Sequence, residues 1–277
     1  MDMRMGSLAL ADHTFERIAA LMHASVGLAF TPNKKSLISS RLSGRIQHLG
    51  LPDFDSYVEL LESPDDGGEF QMAVDLLTTN ETYFFREPAH FKLLEAELVR
   101  NRPQNLAVWS AAASFGDEAY STAMMLTDLQ TLGSIGSDWH ILGTDISDRV
   151  LSSAVQGIYP ADRLREVSDQ RLRRHCLRGE GDSEGLVQVR EALRARVRFG
   201  QLNLCAPIGD IGSFDVIFLR NVLIYFDPPT KSAVVDRVLG HLKPGGLFFL
   251  GTAEGRVPCR TPLTPLAPGA FRKGAAK

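Results

Sequence analysis

Two hydrophobic periods divide the chain. Between residues 12 and about 85, apolar positions recur every three or four residues, which predicts helices. Phe15, Ile18, Ala19 and Met22 mark a helix over Thr14–Met22. Gly27 breaks it, and Thr31-Pro32-Asn33 opens a second, Asn33–Leu49, with Thr31 as cap and Pro32 at the first position. Ile38, Leu42, Ile46 and Leu49 form its apolar stripe. Gly50-Leu51-Pro52 ends it, and Asp53 or Asp55 caps a third helix whose apolar side is Phe54, Tyr57, Val58, Leu60 and Leu61. A loop at Ser63–Gly68 precedes a fourth helix over Phe70–Leu77, and His90–Arg100 reads as a fifth.

Beyond residue 100, short apolar runs alternate with helical stretches. Leu106–Ser110, Trp139–Asp145, a run ending near Gln201–Leu204, Val216–Leu219 and Leu247–Leu250 read as buried strands. Helices are predicted at Ala119–Leu129, Asp148–Gln156 and Asp227–Leu242, Lys243–Gly246 as a turn, and Phe271-Arg272-Lys273 as a last short strand. Gly157–Pro160 reads as a turn and residues 161–176 as a basic helix. From Cys176 to Phe199, three glycines punctuate alternating runs at Leu186–Val189 and Val197–Phe199, which predicts a small β insertion. The expected architecture is a helical N-terminal domain (1–77), a linker (78–100), and a Rossmann-like α/β domain (101–277) with an antiparallel β subdomain at about 176–199.

The first strand leads into Ala111-Ala112-Ala113-Ser114-Phe115-Gly116, then a helix that starts with Asp117-Glu118. Small residues let a ligand approach the backbone, and the free N–H groups of a helix start face it. The stretch lacks the three glycines of a dinucleotide fingerprint. Its two acids repel a phosphate and attract a cation, which favours S-adenosylmethionine, a sulfonium and an ammonium without phosphate, over a nicotinamide dinucleotide. Asp145 ends the second strand, where such domains hydrogen-bond ribose hydroxyls; it or Ser147 could equally cap the next helix. Asn203, Arg220 and Asn221 fall at the carboxyl ends of later strands, where open α/β sheets bind ligands. In the linker, Thr78–Pro88 interleaves aromatics with Asn80, Thr82 and Arg86, as a lid over that cleft would.

Composition narrows the function classes. The 277 residues are 44% hydrophobic and 23% charged with net charge −3, so global basicity does not argue for nucleic acid. Lys34, Arg41, Arg45 and His48 share one face of the second helix: a solvated basic face, or a docking strip for an acidic partner. Three scattered cysteines, with no metal-ligand spacing, suit a reducing compartment. No apolar run approaches the roughly 18 residues of a membrane span. A cytoplasmic protein without metal is expected.

Five motifs in order, over nearly the whole chain, resemble those of the chemotaxis receptor glutamate methyltransferases, the CheR family. They are Thr78–Glu87, Trp109–Glu118, Thr144-Asp145-Ile146, Asn203-Leu204 and Arg220–Phe226. The resemblance implies that S-adenosylmethionine is the cofactor and S-adenosylhomocysteine the product. It places Asn80, Thr82 and Arg86 against the cofactor, Glu118 at its sulfonium or amino end, Asp145 on the ribose, and Asn203 and Leu204 beside the adenine. Arg220 and Asn221 would close the site, with Tyr225 near the transferred methyl; Arg86 and Tyr225 are the expected catalytic pair. The implied partners are the methylation helices of a chemoreceptor, docked by Lys34, Arg41 and Arg45, and a receptor C-terminal peptide on the β subdomain. Two departures stand out: Asp117 where the family commonly has glutamate, and Thr252-Ala253 in place of His-Ser. A non-catalytic cofactor-binding adaptor and a methyltransferase for another acceptor remain open alternatives.

Overall fold

The computed structural model describes residues 8–255 and 257–274. Residues up to Thr79, together with Tyr225–Asp227, make one compact unit; Asn80–Ile224 and Pro228 onward make a second.

The first unit is helical: α1 (Asp12–Val26), α2 (Lys35–His48) after a 3-10 turn at Pro32–Lys34, α3 (Phe54–Glu62) and α4 (Glu69–Leu77). Ile18, Met22, Ile38, Leu42, Ile46, Tyr57 and Val58 fill its interior. α1 runs one turn beyond its predicted end and stops where Gly27 takes φ 75° and donates its N–H to the His23 carbonyl. Asp53 is the cap of α3, accepting the Ser56 N–H at 2.8 Å. Asp55 instead accepts the Thr14 hydroxyl.

Two residues of the basic face of α2, Arg41 and Arg45, make internal bonds while remaining partly exposed. Lys34 lies in the 3-10 turn. Arg41 donates to the carbonyls of Leu77 and Thr78 at 2.8 and 3.0 Å and to the Thr79 hydroxyl, closing the open carbonyls at the end of α4. Arg45 grips buried Glu69 with Nε at 2.9 Å and Nη2 at 2.6 Å, and Tyr57 donates its hydroxyl to the same carboxylate. A carboxylate on α4, 24 residues on, claims Arg45, and the end of the same helix claims Arg41; helical periodicity cannot show either. Lys34 and His48 are exposed.

The second unit begins with α5 (Pro88–Asn101). It is built on a seven-stranded sheet of β1 (Asn105–Ser110), β2 (Asp138–Asp145), β6 (Val197–Gln201), β7 (Phe214–Leu219), β8 (Leu242–Leu250), β9 (Leu263–Ala267) and β10 (Ala270–Lys273), in the order β6-β2-β1-β7-β8-β10-β9. The first five strands of that order are parallel; β10 runs antiparallel to β8, and β9 to β10. Helices α6 (Asp117–Thr131), α7 (Asp148–Gln156) and α10 (Pro228–Gly240) connect the parallel strands. Phe218 and Phe249 stack at 4.8 Å in the core, and α6 is buried around most of its circumference. The predicted turn at Lys243–Gly246 is instead absorbed into β8, where the pairing with β7 shifts register between Phe214 and Val216. β9 lies in the proline-rich tail, where prolines hid it; as the sheet's edge strand it tolerates them.

The small sheet is β3 (Ile158–Pro160), β5 (Leu186–Val189) and β4 (Cys176–Arg178), antiparallel with β5 central. Two short helices, α8 (Asp169–His175) and α9 (Glu191–Arg194), flank its strands. Its predicted bounds shift. Ile158–Pro160, read as a turn, is an edge strand, whereas Val197–Phe199 belongs to the large sheet, parallel to β2. Local alternation is the same in either sheet; only the pairing partner decides.

Candidate active site

The strand order reverses between β1 and β7, and the carboxyl ends of both strands open onto the loop that starts α6. Such a switch point is where open α/β sheets hold ligands. The loop is anchored to the sheet by the Ala111 N–H on the Phe218 carbonyl and the Ala113 N–H on the Thr144 carbonyl, both at 2.8 Å. Gly116 takes φ 88°, and an added Cβ would lie 3.0 to 3.2 Å from Phe199, Ala154 and Tyr159, so both conformation and space demand glycine. Among the described residues, five non-glycines have positive φ: Phe85, Glu87, Arg102, Ser114 and Asn221. All but Arg102 lie in this loop, the linker or the segment after β7, and backbone strain of that kind concentrates at functional sites.

Glu118, in the first turn of α6, accepts the Ser110 hydroxyl at 2.6 Å and Arg220 Nη1 at 2.9 Å. Arg220 follows β7, its side chain only 2% exposed. Its Nη2 donates to the Arg86 carbonyl and stands 3.4 Å from Glu87. Two carboxylates thus flank one guanidinium, and with both ionised the cluster carries one negative charge in excess. Burial pushes Glu118 above the ordinary carboxylate range, against the pull of Arg220 and Ser110. Burial also acts on Glu87, but Arg220, the Thr252 N–H and Asn221 outweigh it and hold that carboxyl low.

Asp145 ends β2. Its Oδ2 accepts the Ser114 N–H at 2.9 Å and its Oδ1 the Ser147 N–H at 3.0 Å. Ser147, not Asp145, caps α7 through its hydroxyl on the Val150 N–H. Asn203, just past β6, accepts the Cys205 N–H with its side chain; Leu204 is buried and its carbonyl accepts Arg237.

In the linker, the Asn80 carbonyl accepts the Ser114 hydroxyl at 3.4 Å, and the Thr82 carbonyl accepts Arg163 at 3.2 Å. Arg86 folds back on its own segment, donating to the Glu81 carbonyl at 2.7 Å. Phe84 and Phe85 are buried. Asn221 donates its N–H to Glu254 at 2.9 Å and its amide to Glu87 at 3.4 Å. Tyr225 groups with the helical unit, its hydroxyl 3.5 Å from the Thr79 carbonyl and its own carbonyl accepting the Ala29 N–H.

Three functional candidates escaped sequence reasoning: Glu87, Glu254 and Arg163. Glu254 gathers the N–H groups of Gly251, Asn221 and Leu223 within 2.9 Å, fixing the turn after β7. At the Thr252-Ala253 departure it is the Thr252 backbone N–H that reaches Glu87, with the side chain exposed. Asp117 points inward onto Arg163 at 3.0 Å and is wholly buried, so only Glu118 of the acidic pair remains at the site. For Glu87 the available signal was an acid next to Arg86, a residue already singled out.

The residues fit S-adenosylmethionine: small residues and a tight glycine turn, an acidic cluster for a cationic ligand, and a carboxylate at the end of β2 for a diol. Sheet order and an acidic helix start suit an S-adenosylmethionine-dependent methyltransferase, the class that the family match gives. Residues 80–261 match the family of the CheR methyltransferase, SAM binding domain, and residues 13–78 that of the CheR methyltransferase, all-alpha domain. The chain is 45% identical over 248 residues to the chemotaxis protein methyltransferase of Escherichia coli (strain K12), covering 89% of this chain and 86% of that one. It is 42% identical to the one of Salmonella typhimurium (strain LT2), covering 89% and 85%. Chemotaxis protein methyltransferase 1 of Pseudomonas aeruginosa is 34% identical, over 95% of this chain and 98% of that one. Among solved structures, the glycopeptide N-methyltransferase MtfA complexed with S-adenosylmethionine overlaps 70% of this chain and 68% of its own at 18% identity, with a TM-score of 0.35. This chain belongs to the CheR methyltransferase family, and its second unit carries the S-adenosylmethionine-binding domain. Among the described residues, no helix is long and apolar enough to cross a membrane.

Proposed function

We propose that this chain transfers the methyl group of S-adenosylmethionine to glutamate side chains of chemoreceptors, giving methyl esters and S-adenosylhomocysteine. The observation that carries the reading is the acidic Glu118–Arg220–Glu87 cluster at the switch point, in a chain that matches both CheR domains.

The cofactor supplies an electrophilic methyl on a sulfonium. An oxygen of the acceptor carboxylate forms the new C–O bond as the C–S bond breaks, and the sulfur keeps the electron pair. Glutamate ionises at about pH 4.3, so the acceptor needs no general base at neutral pH. The protein's task is to align the two groups in a dry site. In this reading Glu118 faces the cationic end of the cofactor and Asp145 its ribose, while Asn203 and Leu204 flank the adenine and Asn80 and Thr82 line the linker side. Arg220 holds Glu118 in place, and Asn221 shapes the turn beside it. Arg86 swings from the Glu81 carbonyl to orient the acceptor carboxylate, and Tyr225 positions the acceptor. Too tight an Arg86–carboxylate pair would favour the ground state, so Arg86 helps without being indispensable.

Receptor docking by the helical unit falls first to exposed Lys34 and His48, with Arg41 and Arg45 offering only what their internal bonds leave. Charged docking implies methylation that weakens with salt, because exposed charges are screened within about 8–10 Å. The small sheet offers edge strands β3 and β4 and the exposed apolar side chains of Ile158, Leu177 and Leu186. These suit a receptor C-terminal peptide added as a further strand.

The test is calorimetry with S-adenosylhomocysteine beside an Asp145→Ala variant, followed by methyl-label transfer to chemoreceptor cytoplasmic fragments. Binding lost in the variant, with base-labile label on wild-type fragments, supports the reading. Binding without transfer to any receptor fragment would favour the adaptor, and a folded protein that does not bind would end the methyltransferase reading.

A further inference from the structure

Arg163 lies in the 3-10 turn Ala161–Leu164, at the root of the small sheet and outside every motif that brought the site to notice. Its Nη2 donates both to Asp117 Oδ2 at 3.0 Å and to the Thr82 carbonyl at 3.2 Å. Its own carbonyl accepts the Phe84 N–H at 3.3 Å. The guanidinium sits 4.6 Å from the Phe115 ring centre and 5.7 Å from that of Tyr159, whose hydroxyl donates to the Phe115 carbonyl at 2.6 Å. One side chain therefore touches both the linker, between Asn80 and Arg86, and the loop that begins α6.

We infer that Arg163 is a positioning residue for the cofactor site, holding Thr82–Phe84 against Phe115–Asp117 so that the linker and the helix start keep a fixed separation. The inference rests on the cofactor reading above. A planar guanidinium can reach a carboxylate, a carbonyl and a ring face together, whereas an ammonium cannot hold the same three in fixed directions. Packing of the linker does not depend on it alone: Phe84 meets Tyr159 edge-on at 5.0 Å, and the Phe85 N–H donates to the Ser121 hydroxyl at 2.9 Å. Loss of Arg163 should loosen the linker's polar residues while these anchors keep the fold.

The experiment compares full-length wild type with Arg163→Lys, Arg163→Met and Asp117→Asn. Three readouts are taken: S-adenosylhomocysteine affinity by calorimetry, amide hydrogen exchange over residues 80–86 without ligand, and melting temperature. Both Arg163 variants should bind roughly ten-fold more weakly and exchange faster over 80–86. Asp117→Asn, which keeps an acceptor for Arg163 and leaves the Thr82 bond intact, should bind within about two-fold of wild type. Should Arg163→Met fail to fold, Arg163→Lys decides alone. Wild-type affinity in the folded Arg163 variants overturns the inference, as does weakening that simply follows melting temperature across all three. A wild type that does not bind overturns the cofactor reading first and this inference with it.

Discussion

Glu118 and Arg220, 102 residues apart in the chain, meet at 2.9 Å beneath the loop that begins α6. One sits at a helix start and the other just past a neighbouring strand, so the pair joins the two sides of the switch point. The guanidinium also reaches Glu87 and the Arg86 carbonyl, which ties the linker to the same point.

Removing the shared cation should cost more than removing either acid. Arg220→Ala leaves Glu118 and Glu87 without their counter-charge and should lower unfolding free energy by about 3–5 kcal/mol. Glu118→Gln keeps an acceptor for Arg220 and should cost far less, while weakening S-adenosylmethionine binding roughly ten-fold. Urea denaturation beside calorimetry separates the two effects.

Asp117 gives a pH dependence with a definite sign. Burial, opposed by Arg163, raises its carboxyl from 3.8 to about 6. A carboxyl raised on folding favours the folded state at low pH, and that advantage is lost as pH climbs from about 4 to about 6. The loss is on the order of 3 kcal/mol, at 1.36 kcal/mol per unit. The stability of wild type relative to Asp117→Asn should therefore fall across that window and level off above it. A flat difference in urea titrations from pH 4 to 8 would contradict the burial argument.

Arg45 and Lys34 should separate by what they disturb. Arg45→Ala leaves buried Glu69 with only the Tyr57 hydroxyl of its side-chain donors and should destabilise the helical unit by about 3 kcal/mol. Lys34→Ala should leave the melting curve unchanged and reduce receptor methylation at low salt, the deficit shrinking as salt is raised.

Gly143 is a packing test of the sheet below the site. A Cβ there would stand 2.6 Å from the Phe199 ring, so Gly143→Ala must move that ring. A cost of about 1–3 kcal/mol is expected in denaturant titrations, without a charge-dependent component.

Most strands and helices were legible in the residues alone, because period and turn residues act locally; β3 and β9 were not. Leu106–Ser110 and Ala119–Leu129 fall inside β1 and α6, and Asp145, Arg220 and Asn221 stand at or just past strand ends as their abrupt polarity implied. Composition of the loop also pointed to a cationic ligand rather than a phosphate, which agrees with the family's S-adenosylmethionine-binding domain. Partnership was decided only by tertiary structure. Arg41 and Arg45 looked free on a helical wheel and are held by α4; Asp117 looked like a site acid and is turned onto Arg163; Val197–Phe199, expected in the small sheet, pairs in the large one, and Ile158–Pro160, read as a turn, is a strand of the small sheet. The reason is physical: a side chain's period fixes its face, while its charge is compensated, and a strand paired, by whatever the fold brings opposite.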